Sequence, residues 1–276
     1  MENKNIVLLK HHPMNVKFSN TFYTNQCSDL NERIVIDVTS RVERDKTFME
    51  EHPTFARDLS PFYIGPITGP DGATSHVFEH FWQCGKVYPC HYKNEKLLPQ
   101  YFEWRKKWYD KEQISRNRTE SRHPNVELGY RPSDCLFFAH FEDGEYKKLN
   151  YVEARKKVYI PNYAKLVHNT ESFRWLKSLV DDGHKIALVD FDGYNYYEES
   201  ALKGLYNSYL NRCKKNEVIP QRKEADFLKI NSMKKVINCP FLLAGHGFVI
   251  KMLLEDDLTF NPDGSLNDPD GFLEVR

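Results

Sequence analysis

Apolar residues along the chain fall into short blocks separated by Pro- and Gly-rich turns, and within the blocks two spacings alternate, one strand-like and one helical. Arg33-Ile34-Val35-Ile36-Asp37-Val38 is rich in β-branched residues and predicts the one strand of the first forty positions. A second strand is expected over 185–191, where Ile186-Ala187-Leu188-Val189 runs without polar interruption into Asp190 and Phe191. Gly65-Pro66 and Gly69-Pro70-Asp71-Gly72 read as turns leading into a helix around Phe78 that must stop before Pro89. Pro99 suits a first helical turn, which predicts a helix from Pro99 to Lys111, and the interval Ile114 to Asp134, broken by Pro124, Gly129 and Pro132, reads as an ordered loop. A helix from Tyr151 to Tyr159 stops before Pro161, and another from Tyr163 to Val180 ends where Gly183 can supply a left-handed cap. Helices resume at 198–215, 222–236 and 246–256, and the tail from Phe260 is turn-like.

This inventory predicts an α+β fold: a single compact, mostly helical domain over residues 1–276, with a few short strands and embellishments at both termini. No Gly/Ser-rich linker divides the chain, and no internal repeat is present. The 16 Tyr and 18 Phe exceed what a minimal core needs and suggest stacking surfaces as well.

Charge narrows the choice of partners. Lys plus Arg equals Asp plus Glu at 39 each, so nothing favours general, salt-driven adhesion to nucleic acid. A local phosphate surface would have to come from Arg105, Lys106, Lys107, Lys111, Arg116, Arg118 and Arg122, with Trp104, Trp108 and Tyr109 interleaved. A solvated helix face followed by a polar loop explains the same letters and is the favoured reading. The apolar run Ile6 to Leu9 is too short for a secretory core, and no stretch approaches the roughly 20 apolar residues that span a bilayer. The six cysteines form no CxxC pair, which suits reduced thiols. A cytoplasmic protein without membrane association is therefore expected.

Chemistry concentrates in Phe78-Glu79-His80-Phe81-Trp82-Gln83-Cys84-Gly85-Lys86. Helical spacing would line up Glu79, Gln83 and Lys86 beside aromatic residues, so a half-buried acid, amide and ammonium would share one stripe, with Lys86 or a ligand as the partner Glu79 needs. His80, Cys84, Cys90 and His91 place four potential metal ligands close in sequence, but their spacing fits no standard zinc motif, so no metal is expected. No Gly-x-Ser-x-Gly elbow, P-loop or Gly-x-Gly-x-x-Gly is present. Asp190 and Asp192 stand at the end of an apolar strand, where polar groups often face a cleft. His246, between Gly245 and Gly247 at the start of an apolar helix, is placed to approach a ligand at a helix amino terminus.

The motif helix, together with the upstream Ser60-Pro61-Phe62-Tyr63, resembles the NADAR (YbiA-like) family of N-glycosidases and ADP-ribose-processing domains. That family reads Ser-Asn-Phe-Tyr-Pro and then roughly Val-Glu-His-Tyr-Phe-Gln-Ala-x-Lys; the match falls on Glu79, His80, Gln83 and Lys86, while Pro61 stands where the family has Asn. Residues 186–194 and 244–254 are weaker echoes of its later strand and final helix, without the usual Trp-Gly dipeptide. The resemblance implies a compact, mostly helical α+β fold and cleavage of a C–N glycosidic bond in an ADP-ribose-linked or related nucleotide, including a base modified by ADP-ribose.

In such a reaction Glu79 would stabilise the oxocarbenium-like transition state and orient the attacking water. Lys86 would anchor a phosphate or protonate the leaving base, and Asp190 is the third catalytic candidate. Gln83 would hold a ribose hydroxyl or base edge, with Phe62, Tyr63, Trp82, Asp192 and His246 as further substrate contacts. No cofactor is expected, and the partner would be a nucleotide or ADP-ribose-type small molecule, free or within modified nucleic acid. The alternatives are a non-catalytic binder of the same ligands and a structural or interaction protein.

Overall fold

The computed structural model describes residues 5–11, 21–39, 58–112 and 123–275. The elements that position the candidate residues are, in chain order, β1 (Ile6–Lys10), β2 (Ile34–Asp37), α1 (Phe78–Cys84), β3 (Lys86–Val87), α2 (Pro99–Tyr109), β4 (Phe137–Glu142), β5 (Glu145–Leu149), β6 (Ile186–Asp190) and α3 (His246–Leu254). The class is mixed α+β, with more helix than strand. One domain is the expectation from sequence; in the structure internal packing gathers into two compact units, Met1–Arg44 with Arg174–Phe272, and Asp45–Phe173 with Leu273–Arg276. Neither unit is continuous in sequence, which is why no linker marks their boundary.

The first unit is built on a three-stranded parallel sheet in the order β1-β6-β2, with Ile6 opposite Ile186 and Ile186 opposite Ile34. Every residue of the central β6 is buried, the condition under which a strand reads as an uninterrupted apolar run rather than an alternating one. Val7, Leu9, Ala187 and Val189 pack with Tyr23, Cys27 and Leu30 on one face. The largely apolar α3 packs against β1 and β6, and Leu8 lies so close to Gly247 that an added Cβ there would crowd its side chain. The strand β1 was not expected: Ile6-Val7-Leu8-Leu9 is too short to display a period and becomes a strand only by pairing with β6. The helix expected over 222–236 is two, Glu224–Leu228 and Met233–Asn238, the second capped by the Ser232 hydroxyl.

In the second unit α1 carries a ring cluster into the core. Phe78 meets Tyr159 and Tyr163 at centroid distances of 5.2 and 5.5 Å, and Trp82 stacks on Phe138 at 4.9 Å. The hairpin β4–β5 turns at Asp143 and Gly144, both left-handed (φ 53° and 81°), and β3 adds antiparallel to β4. Asp-Gly between alternating residues is a strong hairpin signal. The expected helix stop before Pro161 does not occur. A π-helical turn at Arg155–Tyr159 widens the spiral ahead of Pro161, and the helix continues over Ile160–Val167.

The expected loop from 114 to 134 holds a short helix, Pro124–Glu127, and a 3-10 turn at Pro132–Asp134, while its residues 114–122 lie outside the described residues. Arg116, Arg118 and Arg122 fall in that interval. In the remaining basic stretch Arg105 is 6% exposed and bonded to Asp71, Lys106 and Lys107 are exposed and paired with Asp110 and Glu127, and Trp104, Trp108 and Tyr109 are core residues. Among the described residues, no helix is long and apolar enough to cross a membrane.

Candidate active site on the Glu79 helix

The turn Ser60–Ile64 and the start of α1 form one hydrogen-bonded unit. The Ser60 carbonyl accepts from the backbone N–H groups of Tyr63 and Ile64, 3.0 Å each, and its hydroxyl accepts from Phe62 N–H at 3.2 Å. The turn then presents two carbonyls to the helix: Ile64 accepts from Phe78 N–H and Pro61 from Glu79 N–H, both at 2.8 Å. These bonds satisfy donors that a helix start leaves without intrahelical partners. Only the carbonyl of residue 61 is used, so proline serves there. At Gly65 a Cβ would run into the His76 carbonyl, and this close approach of the chain to itself fixes the turn against the helix entry.

Glu79 occupies the second position of α1, where the helix dipole favours a negative charge, and it is 7% exposed. Its Oε1 accepts from Gln83 Nε2 at 2.7 Å, and Gln83 Oε1 accepts from Lys86 Nζ at 2.7 Å. The amide is thereby oriented, its NH2 to the carboxylate and its oxygen to the ammonium. Lys86 is not on the helical stripe, because α1 ends at Cys84; it reaches Gln83 from β3, with its ammonium 5.4 Å from the Trp82 ring centroid. Of the two partners expected for Glu79, Lys86 or a ligand, Lys86 does not bond it directly, because Gln83 stands between them.

A residue absent from the sequence reading completes this group. His123 Nδ1 lies 3.8 Å from Glu79 Oε1, and Phe62 meets the His123 ring edge-on at 6.1 Å. Gln83 and His123 thus converge on the same carboxylate oxygen. Glu79 Oε2 has no protein partner among the described residues. His123 stands just before a one-turn helix, without periodicity or motif around it, so no sequence signal marks it.

The other expected contacts in this unit divide. Phe62 and Tyr63 are half-buried in the docked turn, whereas Trp82, at 7% exposed, is packed between Phe138 and Tyr159 as a core ring. His80 is fully buried and edge-on to Trp108 at 5.1 Å; burial, with a smaller push from the Lys111 ammonium, drives its pKa down to about 4. Burial raises the Cys84 thiol well above its ordinary range. No metal-binding group of His, Cys, Asp or Glu forms among the described residues.

Asp190, Asp192 and His246 meet in the first unit, at the carboxyl end of the parallel sheet. Asp190 Oδ1 accepts from Phe191 N–H at 2.7 Å, and Oδ2 accepts from Gly247 N–H at 3.2 Å with His246 Nδ1 at 3.5 Å. His246 Nε2 is 2.6 Å from the Val38 carbonyl, which can only accept, so Nε2 carries the hydrogen. A Cβ on Gly245 would lie 3.0 Å from Asp192 Oδ2. Both Asp190 oxygens are therefore engaged by the chain itself, and the geometry makes Asp190 the clamp that holds the start of α3 on the sheet.

Comparison with family models, curated proteins and solved structures gives no match.

Proposed function

We propose that the chain is an N-glycosidase-like hydrolase that cleaves the C–N glycosidic bond of an ADP-ribose-linked or related nucleotide, with Glu79 as the catalytic carboxylate. The observation that carries this reading is the asymmetry of Glu79. One oxygen is held by Gln83, and the other has no protein partner among the described residues. A carboxylate held in this way can receive a proton from the attacking water and stabilise positive charge developing at the anomeric carbon, without reorganising as it does so. The Phe62 ring meets the His123 ring edge-on at 6.1 Å, which places an aromatic face in the neighbourhood where a base could stack. The NADAR resemblance of residues 60–63 and 78–86 supports the substrate class.

Lys86 enters this reading as the group that fixes Gln83. The test is incubation with NAD, ADP-ribose and an ADP-ribosylated guanosine nucleotide, read by mass spectrometry beside a Glu79→Gln control. The amide introduced by that substitution keeps an acceptor oxygen for Gln83, so the variant should fold and lose turnover by at least about a hundredfold. Full activity in Glu79→Gln removes the assignment, and ligand-induced thermal stabilisation without product in the parent chain would make it a binding module.

A further inference from the structure

We propose that His123 is the general acid of this site, giving its proton to the departing base and recovering it from the Glu79 carboxyl; the inference rests on the glycosidase reading of Glu79. Three observations carry it. His123 Nδ1 approaches Glu79 Oε1 to 3.8 Å, within a small shift of hydrogen-bond distance. The His123 side chain is 47% exposed while that of Glu79 is 9% exposed, so the imidazole stands on the solvent side of the carboxylate, where a ligand would enter. The Phe62 ring meets the His123 ring edge-on at 6.1 Å, so an aromatic side chain flanks the imidazole.

Lys86 is the competing donor, and its geometry assigns it elsewhere: its ammonium is bonded to the Gln83 oxygen and faces the Trp82 ring. Imidazole is also the side chain suited to exchanging a proton near neutral pH.

The proton inventory closes. Water forms the new C–O bond at the anomeric carbon and gives one proton to Glu79 Oε2. The C–N pair departs with the base, whose nitrogen takes the His123 proton. Glu79 is then protonated on Oε2 and His123 neutral, and because the 3.8 Å approach of His123 is to Oε1, a water molecule relays the proton from Oε2 to the exposed imidazole and restores the starting state.

Leaving-group dependence tests this role. Nicotinamide departs from NAD as a neutral molecule and needs no acid, whereas a guanine amine linked to ADP-ribose needs one. With both probes, His123→Gln should lose roughly 10²- to 10⁴-fold in kcat on the ADP-ribosylated guanosine nucleotide, and that loss should exceed the loss on NAD at least about tenfold. Added imidazole should restore part of the lost rate in His123→Ala, and the thermal shift with ADP-ribose should persist in both variants. Equal losses on the two probes, no loss on the guanosine-linked one, or loss of the ADP-ribose shift would overturn the role. Turnover of NAD alone would overturn it too, while a parent chain that cleaves neither probe brings down the Glu79 reading itself and this role with it. If only the guanosine-linked probe is cleaved, failure of imidazole rescue is the overturning result.

Discussion

Acid should cost this fold stability through one residue, His80. The ring is 0% exposed, sits against the edge of Trp108, and titrates near 4 instead of 6.5, because burial and then the Lys111 ammonium disfavour the imidazolium more than the nearby Trp108 and Lys111 carbonyls favour it. The folded-state value lies below the unfolded one. Between about pH 6.5 and 4 the unfolded chain therefore binds more protons, and stability falls as pH falls through that window. Integrating this linkage between about pH 7.5 and 4.5 gives a loss of about 2–3 kcal/mol from this one ring, which levels off below the folded-state value.

Burial also lowers His91 and His140, and Asp and Glu begin to titrate near the lower end, so the informative quantity is a difference. Urea denaturation followed by far-UV circular dichroism at about pH 7.5 and 4.5 should show the parent losing about 2–3 kcal/mol more than His80→Gln, a gap of roughly 1 M in midpoint for a slope of about 2–3 kcal/mol/M. Equal pH sensitivity in the two proteins would refute the reasoning, since it would mean that the imidazolium is accommodated where the fold allows it no water.

Asp71→Asn should destabilise by about 2–3 kcal/mol near neutral pH, below the ~3–5 kcal/mol for breaking a fully buried pair because the Asp71 side chain is 22% exposed. Burial raises the Asp71 pKa, but the Arg105 guanidinium outweighs it and holds the carboxyl below its usual range; the contribution is thus present above about pH 4 and lost as pH falls through the folded value. Chemical denaturation checks this, with Arg105→Met in the same chain expected to regain most of the loss and a cost under about 0.5 kcal/mol counting against it. Gly85→Ala should cost about 1–3 kcal/mol, because the added Cβ would run into the Phe138 ring stacked on Trp82; a thermal melt reads the cost, and an unaltered midpoint would show that the ring can yield. The same variant should lower turnover, since residue 85 sits between Gln83 and Lys86 and their bond spans it.

Elements with many residues of one period were legible in the sequence. The helices expected at 99–111, 198–215 and 246–256 occur at Pro99–Tyr109, Glu199–Lys215 and His246–Leu254, and both expected strands appear within a residue or two of their bounds. What escaped was decided by partners far away in sequence. Ile6–Lys10 is a strand because β6 lies beside it, and Pro161 is tolerated because the preceding turn is π-helical. The acid-amide-ammonium series was readable as spacing, but its order in space was not: Lys86 left the helix and still reached Gln83. His123 was invisible because its role depends on its approach to Glu79, 44 positions earlier in the chain.

The strand order β1-β6-β2 also says something about how this chain is made. The two outer strands flank β6 and do not pair with each other, yet they are synthesised first, and their common partner begins only at Ile186. At ~5–20 residues per second, roughly 7–30 s separate the emergence of Asp37 from that of Ile186. Throughout that interval Ile6–Leu9 and Ile34–Ile36 are apolar strand segments with no template to pair on, while the intervening Asp45–Phe173 unit already has all but its last four residues. The nascent chain thus carries two unpaired apolar strand segments until β6 leaves the exit tunnel.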